Sequence, residues 1–117
     1  MRDRLGWLAG LLVAVLLLSS CSGQEPEPVF VEGRVLTVQN LTGEDWLAVE
    51  IWLNHHYRVT RAAMPAGERF SVPLDTFVAG FGQRFNPNRQ AVQGIEVTAT
   101  TTGGKPVRLV WGEGRRQ

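Results

Sequence analysis

Leu47, Val49, Ile51 and Leu53 alternate with Trp46, Ala48, Glu50 and Trp52 over eight consecutive residues, and that period of two commits the segment to a β-strand. A helix would scatter both sets around its circumference, whereas a strand gives each set a face. The spacing assigns the aliphatic set to the core and puts Trp46, Glu50 and Trp52 together on the outside. The same alternation recurs along the chain. Val29 to Asn40 is rich in β-branched residues and reads as a strand in which Gly33 marks a bend or bulge. Phe70, Val72 and Leu74 alternate in a further strand, where Pro73 indicates an edge or a strand end. Ile95, Val97 and Ala99 share one face, as do Val107, Leu109 and Trp111.

Turn chemistry separates these segments. Asn40 to Asp45 is a polar turn, and Asn54-His55-His56 is the tip of a hairpin leading into Tyr57 to Ala63. In Met64-Pro65-Ala66-Gly67-Glu68, Pro presets φ and Gly supplies a positive φ. Thr102 to Lys105 joins the last two strands. About six or seven short strands with turn signals between them predict an all-β fold. The expected form is a single small antiparallel sandwich over residues 29–112, with immunoglobulin-like or fibronectin-III-like layering. A small open barrel is the alternative. Asp75 to Gln90 fits no strand and is the least regular part.

The beginning of the chain has a different character. Arg2 and Arg4 precede an uncharged apolar run from Leu5 to Leu18, fourteen residues long. A bilayer-spanning helix needs roughly 20 such residues, while runs of about 10–14 suit the central region of a signal peptide. Leu18-Ser19-Ser20-Cys21 ends this run and holds the only cysteine. It resembles the lipobox of bacterial lipoproteins, whose Cys is acylated and becomes the mature N-terminus. The resemblance implies a signal peptide over 1–20, lipid attachment at Cys21, and location in the bacterial cell envelope. Ser22, in place of Asp, implies the outer membrane, facing the periplasm, in a Gram-negative host. Ser22 to Pro28 is acidic and proline-spaced, which makes residues 21–28 an acylated Cys and a short extended tether. Residues 113–117 are a polar tail.

Taking residues 1–20 from a chain of 117 leaves 97, enough for one small domain. Arg2, Arg4 and Asp3 leave with them, so totals of 12 basic and 11 acidic residues become ten of each. A neutral mature chain has no basic field to recruit nucleic acid. With Cys21 acylated, the folded part has no thiol for a disulfide, a metal or a nucleophile.

A second resemblance covers Val38 to Pro87. Val38 to Thr42, Asp45-Trp46, Ile51 to Asn54, Tyr57, Pro65-Ala66-Gly67 and the Gly-x-Arg-Phe-Asn-Pro core at 82–87 are similar to elements of small uncharacterised bacterial envelope domains. That similarity implies a β fold and no activity.

Two places can carry binding chemistry. Trp46 and Trp52, with Tyr57, form a candidate aromatic platform for sugar rings or a partner protein, or else one tryptophan belongs to the core and the other packs under a loop. In the 75–90 segment, Phe77, Phe81 and Phe85 recur every four residues. They can pin the loop while Arg84 and Arg89 face an anionic or peptide partner, or they can plug the sandwich edge. His55 and His56 diverge on an extended chain, so a solvated hairpin tip is expected rather than a metal site. Glu44-Asp45 is expected to cap its turn. Asn40-Leu41-Thr42 matches a glycosylation sequon and is expected only to shape the turn. Ser22 and Ser71 are the serines after the lipobox, and neither lies in a nucleophile context. The chain therefore reads as a non-enzymatic envelope lipoprotein without a cofactor or metal, which binds a protein partner or supports an envelope assembly. A glycan- or peptidoglycan-binding module is the alternative.

Overall fold

The computed structural model describes residues 27–112. The expected signal peptide over 1–20, the expected lipid attachment at Cys21, most of the expected tether and the tail at 113–117 lie outside the described residues. Eight strands follow in order: β1 (Val29–Glu32), β2 (Val35–Gln39), β3 (Trp46–Leu53), β4 (Tyr57–Met64), β5 (Arg69–Pro73), β6 (Val78–Ala79), β7 (Gly94–Thr101) and β8 (Pro106–Gly112). A short 3-10 turn, Leu74–Thr76, separates β5 from β6.

The strands form two antiparallel sheets, β1-β2-β5 and β6-β4-β3-β7-β8. No ladder joins them among the described residues, so the molecule is a two-sheet sandwich and not a closed barrel. Three strands face a sheet in which the chain's third, fourth, seventh and eighth strands are neighbours, extended by the short β6 at one edge.

The core lies between the sheets. Val29, Leu36, Val38 and Val72 of the smaller sheet meet Val49, Ile51, Leu53, Ile95 and Val97 of the larger one, all buried. Each such side chain contributes roughly 1.5–3 kcal/mol through the apolar area it removes from water. Val107, Leu109 and Trp111 pack partly buried against this cluster.

Two sequence expectations are corrected by local geometry. Val29 to Asn40 is not one strand but two, β1 and β2, paired from Val29–Val38 to Glu32–Val35. Gly33 is not a bend within a strand. With φ +60 it takes the first place of a two-residue turn completed by Arg34, where a glycine-type positive φ matches the strand twist.

The second correction concerns β3. Its register against β7 slips by one between Leu47 and Glu50, and Ala48 has φ +52. The extra residue is a β-bulge, and it reverses which residues face inward before it. Trp46 is therefore fully buried beside Met64, with which it pairs, while Leu47 is exposed on the outer surface. From Val49 onward the predicted alternation holds.

The chain reaches β1 at one pole of the sandwich. The Gln39 N–H donates to the Pro28 carbonyl at 2.7 Å, and Gln39 Nε2 donates to the Glu27 carbonyl at 3.0 Å. Glu27 and Pro28 are expected in the tether; the Pro28 carbonyl in fact extends the β1–β2 ladder, and the Glu27 carbonyl is held by the Gln39 side chain. At this pole buried Asn40 organises the turn that follows it. Its Nδ2 donates to the carbonyls of Glu44 and Met64, at 2.7 and 3.0 Å, and its Oδ1 accepts from the Thr42 N–H and hydroxyl. Thr42 Oγ1 in turn accepts from Trp46 Nε1 at 3.0 Å. Asp45 Oδ1 accepts from the Ala66 N–H at 2.9 Å, so its carboxylate caps the neighbouring Pro65-Ala66-Gly67 turn. Asn40 thus shapes its turn as expected, whereas Asp45 caps the neighbouring turn and not the one it occupies.

Candidate functional site

The opposite pole is built around the β3–β4 hairpin. Its turn has positive φ at both Asn54 (51°) and His55 (65°), closed by the His56 N–H donating to the Leu53 carbonyl at 3.2 Å. Positive φ at both central positions is the turn class that matches strand twist, and Asn is the side chain that tolerates it best. His55 and His56 are exposed, which makes this the solvated tip the sequence indicated.

Asn54 also fastens the long irregular segment to the hairpin. Its Nδ2 donates to the Ala91 carbonyl at 2.9 Å, and its Oδ1 accepts the N–H groups of Gln93 and Gly94 at 2.7 and 3.2 Å. Within the segment, Phe77 and Phe85 are fully buried; the Phe85 ring meets Tyr57 edge-on, 5.3 Å between centroids. The Phe85 N–H donates to the Phe77 carbonyl at 2.9 Å and locks the pair. These two phenylalanines plug the sandwich. Phe81 does the opposite.

Between Val78 and Arg84, which form a β-bridge, the chain makes a small hairpin of its own. The Ala79 N–H donates to the Gln83 carbonyl at 2.8 Å, and the Gly82 N–H donates back to the Ala79 carbonyl at 2.9 Å. Phe81 sits on this tip with 80% of its surface exposed. Arg84 and Arg89 are exposed too.

The aromatic platform expected from Trp46, Trp52 and Tyr57 does not form. Trp46 is in the core because of the bulge. Tyr57 lies opposite Leu53 on the inner face, 7% exposed, with its hydroxyl donating to Gln90 Oε1 at 3.2 Å. Only Trp52 remains on the outer face, half-buried, with Nε1 donating to Glu50 Oε1 at 3.1 Å.

What surrounds Trp52 was not anticipated. Directly opposed residues of antiparallel neighbours project from the same face. The registers Trp52–Arg58, Trp52–Glu96, Glu96–Val110, Arg58–Val78 and Val78–Arg84 therefore set Arg84, Val78, Arg58, Trp52, Glu96 and Val110 in one row across the larger sheet. The Arg58 guanidinium lies 5.2 Å from the Trp52 ring centroid, and Glu96 forms an ion pair with Arg108. Arg58 was legible in principle, because a hairpin closed by Leu53 and Tyr57 places residue 58 opposite residue 52.

Surface depressions gather at this pole. An open groove of about 560 Å³ runs past Asn54, His56, Gly80, Phe81 and Gln90. A second, of about 410 Å³, is lined by Trp52, His56, Arg58, Val78 and Gly80. They adjoin at His56 and Gly80. Among the described residues no three His, Cys, Asp or Glu side chains converge as metal ligands would. No family model, no curated protein and no solved structure matches this chain.

Proposed function

We propose that the chain is a bacterial envelope lipoprotein, acylated at Cys21, whose sandwich is a non-enzymatic domain that docks a protein partner at the hairpin pole. The observation that carries the docking site is Phe81, 80% exposed on a hairpin tip within a segment that Asn54 fastens. A large apolar side chain held in water by ordered backbone costs solubility and gives nothing to the core, which is the character of an interface anchor. Trp52 and the paired grooves extend that surface. The lipobox resemblance at Leu18 to Cys21 supports the anchor, and Ser22 supports the outer membrane of a Gram-negative host. Two or three acyl chains would hold the protein stably, since one chain alone anchors only marginally.

A glycan-binding role rested on three aromatics sharing a face. With Trp46 and Tyr57 buried and Arg58 lying over Trp52, no open ring platform supports it.

Two measurements test the reading. Mass spectrometry of protein from the native host should find residues 1–20 removed and Cys21 carrying diacylglycerol; an unmodified thiol with the leader attached would remove the anchor. Mild crosslinking of intact cells should give a partner adduct that Phe81→Ser abolishes, whereas a strictly solitary protein would remove the docking role.

A further inference from the structure

Both poles of this neutral domain carry both signs: Glu27, Glu44, Asp45 and Glu68 lie with Arg69 and Lys105 where the chain reaches β1, and Glu32 and Asp75 lie with Arg34, Arg58, Arg84 and Arg89 at the hairpin pole. What marks the hairpin pole is a group of arginines without an ion-pair partner among the described residues. At the hairpin pole, Arg58, Arg84 and Arg89 are exposed, and none of the three makes an ion pair among the described residues. The carboxylates nearest in the row are already engaged, Glu96 by Arg108 and Glu50 by the Trp52 indole. From Leu74 to Gln93 the chain has Arg84 and Arg89 against a single carboxylate, Asp75.

We infer that the hairpin pole recognises an acidic polypeptide segment bearing an apolar side chain, its carboxylates meeting Arg58 and Arg84 and its apolar group meeting Val78 and Phe81. This rests on the docking role proposed above and specifies the partner's chemistry. Arg58 and Arg84 flank Val78 on successive strands, so their backbones are separated by two strand spacings, about 10 Å. About three residues of extended peptide cover that distance. Arg58 is held against Trp52, and an arginine fixed by stacking keeps its planar donors ready for a carboxylate. The apolar component follows from Val78 and Phe81 lying in and beside the same row, both exposed.

Acidic lipid headgroups of the anchoring leaflet are a poorer fit. Pro28 joins the sandwich at the pole opposite Phe81, so a chain tethered from its N-terminal side presents the arginines away from its own membrane.

The test places a photo-crosslinking amino acid at position 81 of the full lipidated protein in its native envelope, and sequences the crosslinked peptides. The expected adduct maps to a segment of another protein with at least two Asp or Glu residues beside an apolar one. Arg58→Glu/Arg84→Glu should reduce its yield about tenfold, as loss of a charge-matched contact does. Arg58→Gln/Arg84→Gln should reduce it less, and Lys105→Glu, at the other pole, should leave it unchanged. Circular dichroism of each variant confirms that the fold is kept. An adduct on a protein that both arginine variants leave intact, or one mapping to a neutral or basic segment, overturns the acidic-partner inference while the docking role stands. Adducts only to lipid, to a polysaccharide or to a second copy of the chain overturn the inference as well. No adduct from position 81 or from the same probe at position 52 overturns both.

Discussion

Asn54 and Gly94 hold each other twice: the Asn54 N–H donates to the Gly94 carbonyl at 2.8 Å, and the Gly94 N–H donates to Asn54 Oδ1 at 3.2 Å. One side chain thus joins the β3–β4 hairpin to the start of β7 and to the end of the loop that carries Phe81. Asn54→Ala removes all its side-chain bonds and leaves a Cβ-bearing residue at φ 51° without the Asn compensation. The expected loss is about 4–5 kcal/mol, at about 1 kcal/mol for each of three net hydrogen bonds plus the left-handed backbone cost. Asn54→Gly keeps the backbone easy and should lose about 3 kcal/mol. Urea unfolding of the purified protein measures both; equal losses would show that the backbone conformation carries no strain.

Ala48 is the bulge residue and has φ +52, where an L side chain costs roughly 1–2 kcal/mol. Ala48→Gly removes that cost and returns part of it as freedom in the unfolded chain. A net gain of about 0.5–1 kcal/mol is expected, seen as a higher urea midpoint with an unchanged slope. Ala48→Val should move the midpoint the other way.

Trp46 and Trp52 are six residues apart and should respond to the same substitution with losses of very different size. Trp46→Phe empties part of a closed core site and leaves Thr42 Oγ1 without its indole donor, at a cost of about 2–3 kcal/mol. Trp52→Phe, on the outer face, should cost less than about 1 kcal/mol. Acrylamide should quench Trp52 and leave Trp46 shielded. Quenching of both indoles to the same extent would contradict the bulge.

The fold was legible where hydrophobic alternation is uninterrupted. Val49, Ile51 and Leu53, then Ile95, Val97 and Ala99, face the core as their spacing requires. It failed at Trp46 and Leu47 because a single inserted residue inverts every side chain before it. The insertion is invisible when Ala, rather than Gly, takes the positive φ. Gly33 announced a special backbone, yet a bulge and a two-residue turn make the same demand on glycine. Only pairing between Val29 and Val38 distinguishes them.

The candidate site was half legible. Segment 75–90 drew attention in the sequence, and Arg84 and Arg89 do face solvent, whereas Phe81, expected to pin the loop or plug the edge with Phe77 and Phe85, is displayed instead. The four-residue spacing of Phe77, Phe81 and Phe85 could not say which ring is displayed, because the segment is not helical. That choice is made by the Val78–Arg84 bridge, which lifts residue 81 onto a tip. The transverse row from Arg84 to Val110 depends on register across five strands, which one strand's composition does not contain.

The placement of Pro28 and Phe81 at opposite poles has a mechanical consequence. β1 runs from the Pro28 end toward the other pole, so tension applied between Pro28 and Phe81, as the proposed anchor and partner would apply it, pulls β1 along its own axis. Ladder hydrogen bonds lie across the strands, so such a load shears the β1–β2 bonds together instead of peeling them one at a time. A domain strung this way resists being drawn out, and behaves as a stiff link in a line under strain.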